Sequence, residues 1–296
     1  MCIFFCNFAL QIVIIRKMKA KKILFITQEI EPYVPNSEHT LLGRQMSQHI
    51  LEKGREVRSF MPKWGNINER RNQLHEVIRL SGMNLIINDT DHPLIIKVAS
   101  IPSARMQVYF IDNDDFFQKR LSVANSEGKE YADNALRSIF YARGVLETVK
   151  KLRWVPDVIH CQGWMASIVP VLLKTAYKEE PSFRDCKVIF SVVDQPLTLP
   201  LPKQFPNAIS YRDCTPEVLE GLDTPLQGID LQRLAIKYSD GVTISSATPV
   251  QELADYAASL EKPILPYPKD DYDQYMEFFD KVWSEGKTET EDEDED

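Results

Sequence analysis

The chain has 296 residues, 44% of them apolar and 26% charged, which suffices for a substantial buried core and places it among soluble globular proteins. Acidic residues outnumber basic ones by 43 to 35 and no Lys/Arg-rich patch stands out, so the composition argues against a nucleic-acid binder. Five scattered cysteines, Cys2, Cys6, Cys161, Cys186 and Cys214, lack paired C-x-x-C spacing; reduced thiols in a cytoplasmic protein are expected, not a disulfide framework or a zinc site.

The N-terminal stretch is apolar for about 15 residues, short for a bilayer span. Its charges, Arg16, Lys17 and Lys19, follow the apolar run instead of preceding it as in a secretory signal. Met18, followed by KAKKILFIT, reads as a natural start. Residues 1–20 are therefore expected to be an extension from a misassigned initiation codon, with a membrane anchor as the alternative. No membrane partner is expected for the rest.

The run Lys22 to Thr27 reads as a buried parallel strand. Thr40 to Lys53 carries apolar residues at helical spacing, with Gly54 placed as a C-terminal cap. Glu56 to Met61 reads as a second strand, and Leu85 to Ile87, Pro93 to Ala99 and Met106 to Ile111 as further strands, the last two forming a hairpin. Tyr131 to Leu152 is a long amphipathic helix. Then follow a strand at Val155 to Cys161, a helix at Met165 to Tyr177, strands at Lys187 to Val193 and Asp240 to Ser245, and a helix at Thr248 to Leu260.

This alternation predicts an α/β fold, a doubly wound parallel sheet of Rossmann-like type, over residues 21–268. A short helix at 269–284 and an acidic, self-repelling tail at 285–296 complete the chain, with no second α/β domain after Pro268. Ligands of such sheets bind beyond the carboxyl ends of the strands, so the loops beginning at Gln28, Cys161, Asp194 and Ser245 are the ones to watch. The first of them, EIEPYVPNSEHTLLGR, lies between a strand and a helix, where α/β proteins hold phosphates. Yet it has no glycine before Gly43 and carries Pro35 and Glu38. Asp112, Asp114 and Asp115 lack calcium-loop spacing and read as a solvated turn; no metal and no cofactor is expected.

Several of these segments resemble the N-terminal catalytic domain of bacterial glycogen synthase and plant starch synthase. KKILFITQEIEPYVPNSEHTL is similar to the family's first strand and its E-x-x-P…K-x-G-G-L loop, with Glu29 and Pro32 retained. YADNALRSIFYARGVLETVKKL resembles its D-N-x-x-R helix start, with Asp133, Asn134 and Arg137 in place. PDVIHCQGWMASIVPVLLK resembles the P-D-…-H-x-H-D-W segment, and KVIFSVVDQP and SDGVTISSATPVQEL resemble two later strands.

The resemblance implies one lobe of a GT-B glycosyltransferase that moves glucose from ADP-glucose to an α-1,4-glucan. It implies substrate contacts from Glu29, Asp133, Asn134, Arg137, His160, Gln162 and Trp164, and assigns no catalytic residue here. For some of these a structural reading stands beside it: capping for Asp133 and Asn134, packing beneath the site for His160, anchoring in the core for Trp164. The departures sit where the chemistry is. Pro35, Ser37 and Glu38 replace the loop lysine and paired glycines, and Gln162 and Gly163 replace His-Asp.

Proline donates no N–H. A carboxylate about 4 Å from a phosphate costs roughly 1 kcal/mol in water and several times that in a dry cleft. The expected ligand is therefore an α-glucan or oligosaccharide, with ADP-glucose weak or absent. Either a second polypeptide supplies a donor-binding lobe, or the protein is a non-catalytic glucan-binding or partner-binding pseudoenzyme.

Overall fold

The computed structural model describes residues 19–194 and 196–286. The expectations for the N-terminal apolar stretch and for the acidic tail beyond Gly286 lie outside the described residues. Along the chain run β1 (Lys22–Thr27), α1 (Glu38–Glu52), β2 (Glu56–Pro62), β3 (His75–Glu76), β4 (Met83–Ile87), β5 (Thr90–Ile101) and β6 (Met106–Asp112). There follow α2 (Asn134–Leu152), β7 (Val158–Gln162), α3 (Ile168–Lys174), β8 (Lys187–Val192), α4 (Phe205–Ala208) and α5 (Asp230–Tyr238). β9 (Gly241–Ile244), α6 (Gln251–Ser259), β10 (Ile264–Leu265) and α7 (Tyr272–Ser284) end the series.

The sheet has the order β10-β9-β8-β7-β1-β2-β6-β5-β3, with β4 also paired to β5. From β10 across to β6 every neighbouring pair is parallel. β5, β3 and β4 add an antiparallel edge, and β5 with β6 forms the expected hairpin across a 3₁₀ turn at Pro102–Ala104. The sheet is therefore mixed, with the expected parallel core.

β1 shows why its sequence is an unbroken apolar run. Side chains alternate faces along a strand. Leu24 and Ile26 enter the larger core, which includes Ile139, Phe140 and Val145 of α2 and Val169 and Leu172 of α3. Ile23 and Phe25 enter a second core with Leu42, Met46 and Ile50 of α1 and Tyr275, Phe278, Phe279, Val282 and Trp283 of α7. Both faces are covered, so neither can be polar. Among the described residues no helix is long and apolar enough to cross a membrane.

Element ends depart from expectation for identifiable reasons. α2 begins at Asn134 instead of Tyr131, because Tyr131 is used to close the preceding loop: its hydroxyl accepts from Leu121 N at 3.2 Å and its ring lies under the Arg120 guanidinium. The helix expected from Met165 starts as a 3₁₀ turn, Trp164–Ala166, before α3. β7 starts at Val158, since Asp157 serves as a bracket, its carboxylate accepting from Lys21 N at 2.6 Å and Lys22 N at 2.8 Å. α6 starts only after Pro249, whose ring disfavours a helical residue before it. α5 was not anticipated, although LQGIDLQRLAIKY places Leu231, Leu234, Ala235 and Ile236 on one buried face. Gly54 does end α1, at φ +86°, where a side chain would be strained.

α7 is joined to the sheet by more than apolar contact. Asp280 is buried, accepts from Ala20 N at 2.9 Å and pairs with the buried Arg55 guanidinium at 2.8 Å. Arg55 in turn donates to the carbonyl of Ala20. Removing one member of a buried pair leaves an uncompensated charge, at about 3–5 kcal/mol, whereas an apolar replacement of both is often close to neutral. Asp280→Ala is expected to lower stability by about that amount in urea denaturation, and Arg55→Met/Asp280→Leu to recover most of it. Equal losses in the two variants would contradict a buried-charge origin.

Candidate functional site

β1 lies between β2 and β7, and the chain leaves these two central strands in opposite directions: first through β2 to β6, then through β8 to β10. A crevice forms beyond the carboxyl ends of the strands at such a reversal. Gln28 and Glu29 continue β1 into it, and Gln162 and Gly163 end β7 there. Gly163 has φ +79°, and a Cβ at this position would collide with the Gln28 side-chain oxygen. The left-handed φ favours glycine here, and the Gln28 side chain leaves little room beside it.

The first turn of α1 projects into this region. Ser37 caps it: Ser37 Oγ accepts from Thr40 N at 3.2 Å while Thr40 Oγ1 accepts from Ser37 N at 2.8 Å, a reciprocal box that takes up N–H groups otherwise available to an anion. Glu38 places a carboxylate at the first helical position, where it receives the Tyr267 hydroxyl at 3.1 Å and Ser246 Oγ at 3.4 Å. His39, buried, sets its Nε2 2.5 Å from Asp194 Oδ1. Gln162 donates its amide to the His39 carbonyl at 3.0 Å. Gly43 lets α1 approach closely, since a Cβ there would come 2.8 Å from the Glu29 carbonyl.

Asp133, Asn134 and Arg137 sit beside the crevice and shape one wall. Arg137 is wholly buried and donates to the carbonyls of Phe116 at 3.0 Å, Leu121 at 2.8 Å and Ser122 at 2.6 Å. Its planar fork suits several fixed acceptors at once. Burial, reinforced by Arg120, lowers its pKa to about 9. Asn134 donates to Val123 O at 2.9 Å. Asp133 stands at the N-cap position of α2 but makes no capping hydrogen bond; its carboxylate grips Arg120 instead, with one bond at 2.7 Å. The capping reading of Asp133 and Asn134 is thus corrected: their side chains pin the loop 116–123. That loop brings Ser122 beside Glu29. Burial raises the pKa of Glu29, and the Ser122 hydroxyl and the potential of His39 offset part of the rise.

His160 lies one layer down. Nε2 meets Ser191 Oγ at 2.6 Å, and the ring is flanked by Phe25 and Phe279. Ser191 Oγ contacts Thr243 Oγ1 at 2.6 Å and Ser245 Oγ at 3.0 Å, and Ser245 accepts from Tyr275 OH at 3.1 Å. This buried chain of hydroxyls joins β7, β8 and β9 to α7. Trp164 is fully buried, and Trp64 donates Nε1 to the Gln28 carbonyl at 2.8 Å.

Of the residues expected at the site, Glu29 and Gln162 lie at the carboxyl ends of β1 and β7, where the crevice forms. His160 and Trp164 lie beneath it, and Asp133, Asn134 and Arg137 hold its wall. The pairing of His39 with Asp194, and the place of Ser122 beside Glu29, escaped the sequence reading because partners so distant in sequence leave no local pattern. Asp112 is not part of a solvated turn: it is buried and pairs with Lys97 at 2.8 Å, while Asp115 contacts His92 at 3.0 Å. Among the described residues no cluster of three or more His, Cys, Asp or Glu is arranged to hold a metal.

A mixed sheet with its crevice at a strand reversal is a doubly wound α/β architecture, and the matches that follow make it one lobe of the GT-B fold. The catalytic domain of starch synthase IV from Arabidopsis thaliana, bound to ADP and acarbose, shares this fold with a TM-score of 0.64 at 16% identity, over 84% of this chain and 51% of that one. Residues 22–264 match the family described as the starch synthase catalytic domain. The glycogen synthase of Chlorobaculum parvum (strain DSM 263 / NCIMB 8327) is 33% identical over 235 residues, 79% of this chain and 47% of that protein. That of Chlorobaculum tepidum is 34% identical over 237 residues, with the same coverage. The chain belongs to the starch synthase catalytic domain family. It spans about half the length of the curated relatives it matches.

His160 gives the site a pH signature. Burial depresses its pKa from 6.5 to about 3, so between these values the unfolded chain is protonated and the folded chain is not. Stability is then full above about pH 6.5 and falls as the pH drops, by up to about 1.4 kcal/mol per unit. Urea denaturation at about pH 7 and about pH 5 should show the native protein losing about 2 kcal/mol more than a His160→Gln variant. Equal losses would contradict a buried neutral imidazole.

Proposed function

We propose that this chain is a glycogen/starch-synthase-type glycosyltransferase domain that binds an α-glucan or oligosaccharide and does not by itself transfer glucose from ADP-glucose. One observation carries the reading: at the helix terminus best placed to receive a diphosphate, the chain's own groups take up two of the N–H donors and add a carboxylate. Ser37 and Thr40 cap it, Glu38 supplies a carboxylate, and Pro35 offers no N–H in the loop before it. Glucosyl transfer builds negative charge on the leaving diphosphate, and preorganised donors or cations must meet it. Here a negative charge meets it instead. In this reading the diphosphate is held, if at all, by cations of a second polypeptide.

The hydrogen-bonding groups of the crevice, the Gln162 amide, the Ser122 hydroxyl and the buried Glu29 carboxyl, suit sugar hydroxyls. The Gln162 amide can orient a hydroxyl but has no titrating proton to deliver. Three buried free thiols, Cys161, Cys186 and Cys214, fit a cytoplasmic setting. No cofactor is assigned.

The purified chain should bind maltohexaose at millimolar strength or weaker, on the order of −4 kcal/mol, and ADP not measurably. Incorporation of labelled glucose from ADP-glucose into glycogen should not exceed that of a Gln162→Ala/Trp164→Ala variant. Turnover above that background, or measurable ADP affinity, would overturn the reading.

A further inference from the structure

The strand order β8-β7-β1 puts the exits of β1 and β8 on either side of β7, two strand spacings or roughly 10 Å apart. His39, in the first turn of α1 after β1, nevertheless meets Asp194, just after β8. The contact must arch over the carboxyl end of β7, where Gln162 and Gly163 lie. Gln162 bonds the His39 carbonyl from below, and Glu38 reaches further, to Ser246 after β9. Together these contacts roof the crevice.

The roof is imperfect in an informative place. His39 is 4% exposed, yet its Nδ1 has no hydrogen-bond partner among the described residues. With Nε2–H given to Asp194, Nδ1 is a buried acceptor lacking a donor; in the protonated ring it is a donor lacking an acceptor. Either way the closed contact strands one polar atom that opening would return to water. Asp194, at 38% side-chain exposure, has water to fall back on. The closed state is held by one good hydrogen bond and opposed by one missing one.

We propose that the His39–Asp194 contact is an autoinhibitory latch: it closes the crevice over Gln162, Glu29 and Ser122, and a sugar chain enters only when it parts. The substrate class rests on the functional reading above; the latch itself does not. A ligand that binds only the open form has its affinity reduced by the open fraction, so loosening the latch must tighten binding.

The experiment compares the full chain with Asp194→Ala and with Asp273→Ala. The latter breaks the His49–Asp273 contact on another part of α1 and serves as the control. Hydrogen exchange of amides 28–40 should quicken about tenfold in Asp194→Ala and stay unchanged in the control. Maltohexaose should bind Asp194→Ala about tenfold more tightly than the native chain. Unchanged exchange in Asp194→Ala overturns the latch, as does faster exchange with unaltered, measurable maltohexaose affinity. If neither protein binds maltohexaose, the glucan reading fails and the latch is judged by exchange alone.

Discussion

Two neighbouring parallel strands whose onward connections part in opposite directions, β1 and β7, govern everything else in this domain. Their pairing, from Ile23 opposite Val158 to Thr27 opposite Gln162, brings two strand ends together where their onward connections part. The crevice follows from that geometry before any functional residue is chosen. β1 can hold this position because it is apolar on both faces. The same four residues, Ile23 to Ile26, serve the α2–α3 core on one side and the α1–α7 core on the other.

What distinguishes the crevice is how α1 enters it. A helix N-terminus attracts anions through free N–H groups and a positive end potential. Here the reciprocal cap uses the N–H groups of Ser37 and Thr40, and Glu38 uses the potential. A capping side chain contributes about 1 kcal/mol, and a carboxylate in the first turn roughly 0.3–1 kcal/mol. These are modest terms, but they act in the same direction and stabilise the helix. A diphosphate would have to displace them or lie against Glu38, so local stability and anion binding are in competition at this turn. The chain has the stable version.

Much of the architecture was legible in the sequence, because buried strands and amphipathic helices leave local patterns. KILFIT matches β1 residue for residue. The site was harder to read, for a physical reason. Arg137 opens a helix near a cleft in a pattern suited to a substrate contact, yet its fork is taken up by three loop carbonyls. Only the fold of residues 116–122 decides that, and no local pattern encodes it. Trp164 has the ring expected of a sugar platform but lies wholly inside the core. His39 and Asp194 come together only through the strand order, which a one-dimensional pattern does not contain.

α7 ties these features together. Its buried Tyr275 reaches Ser245 and so the hydroxyl chain leading to His160, while Phe279 flanks the His160 ring. The floor beneath the crevice is thereby fixed by α7, on the same face of the sheet that α1 covers. The decisive point is whether the α1 terminus is closed to anions. Backbone amide NMR of the chain titrated with inorganic pyrophosphate addresses it directly. A closed terminus predicts no saturable shift at the amides of Glu38, His39 and Thr40 up to about 10 mM. Saturable shifts confined to those amides at well below about 1 mM would show an open anion site and contradict the closure.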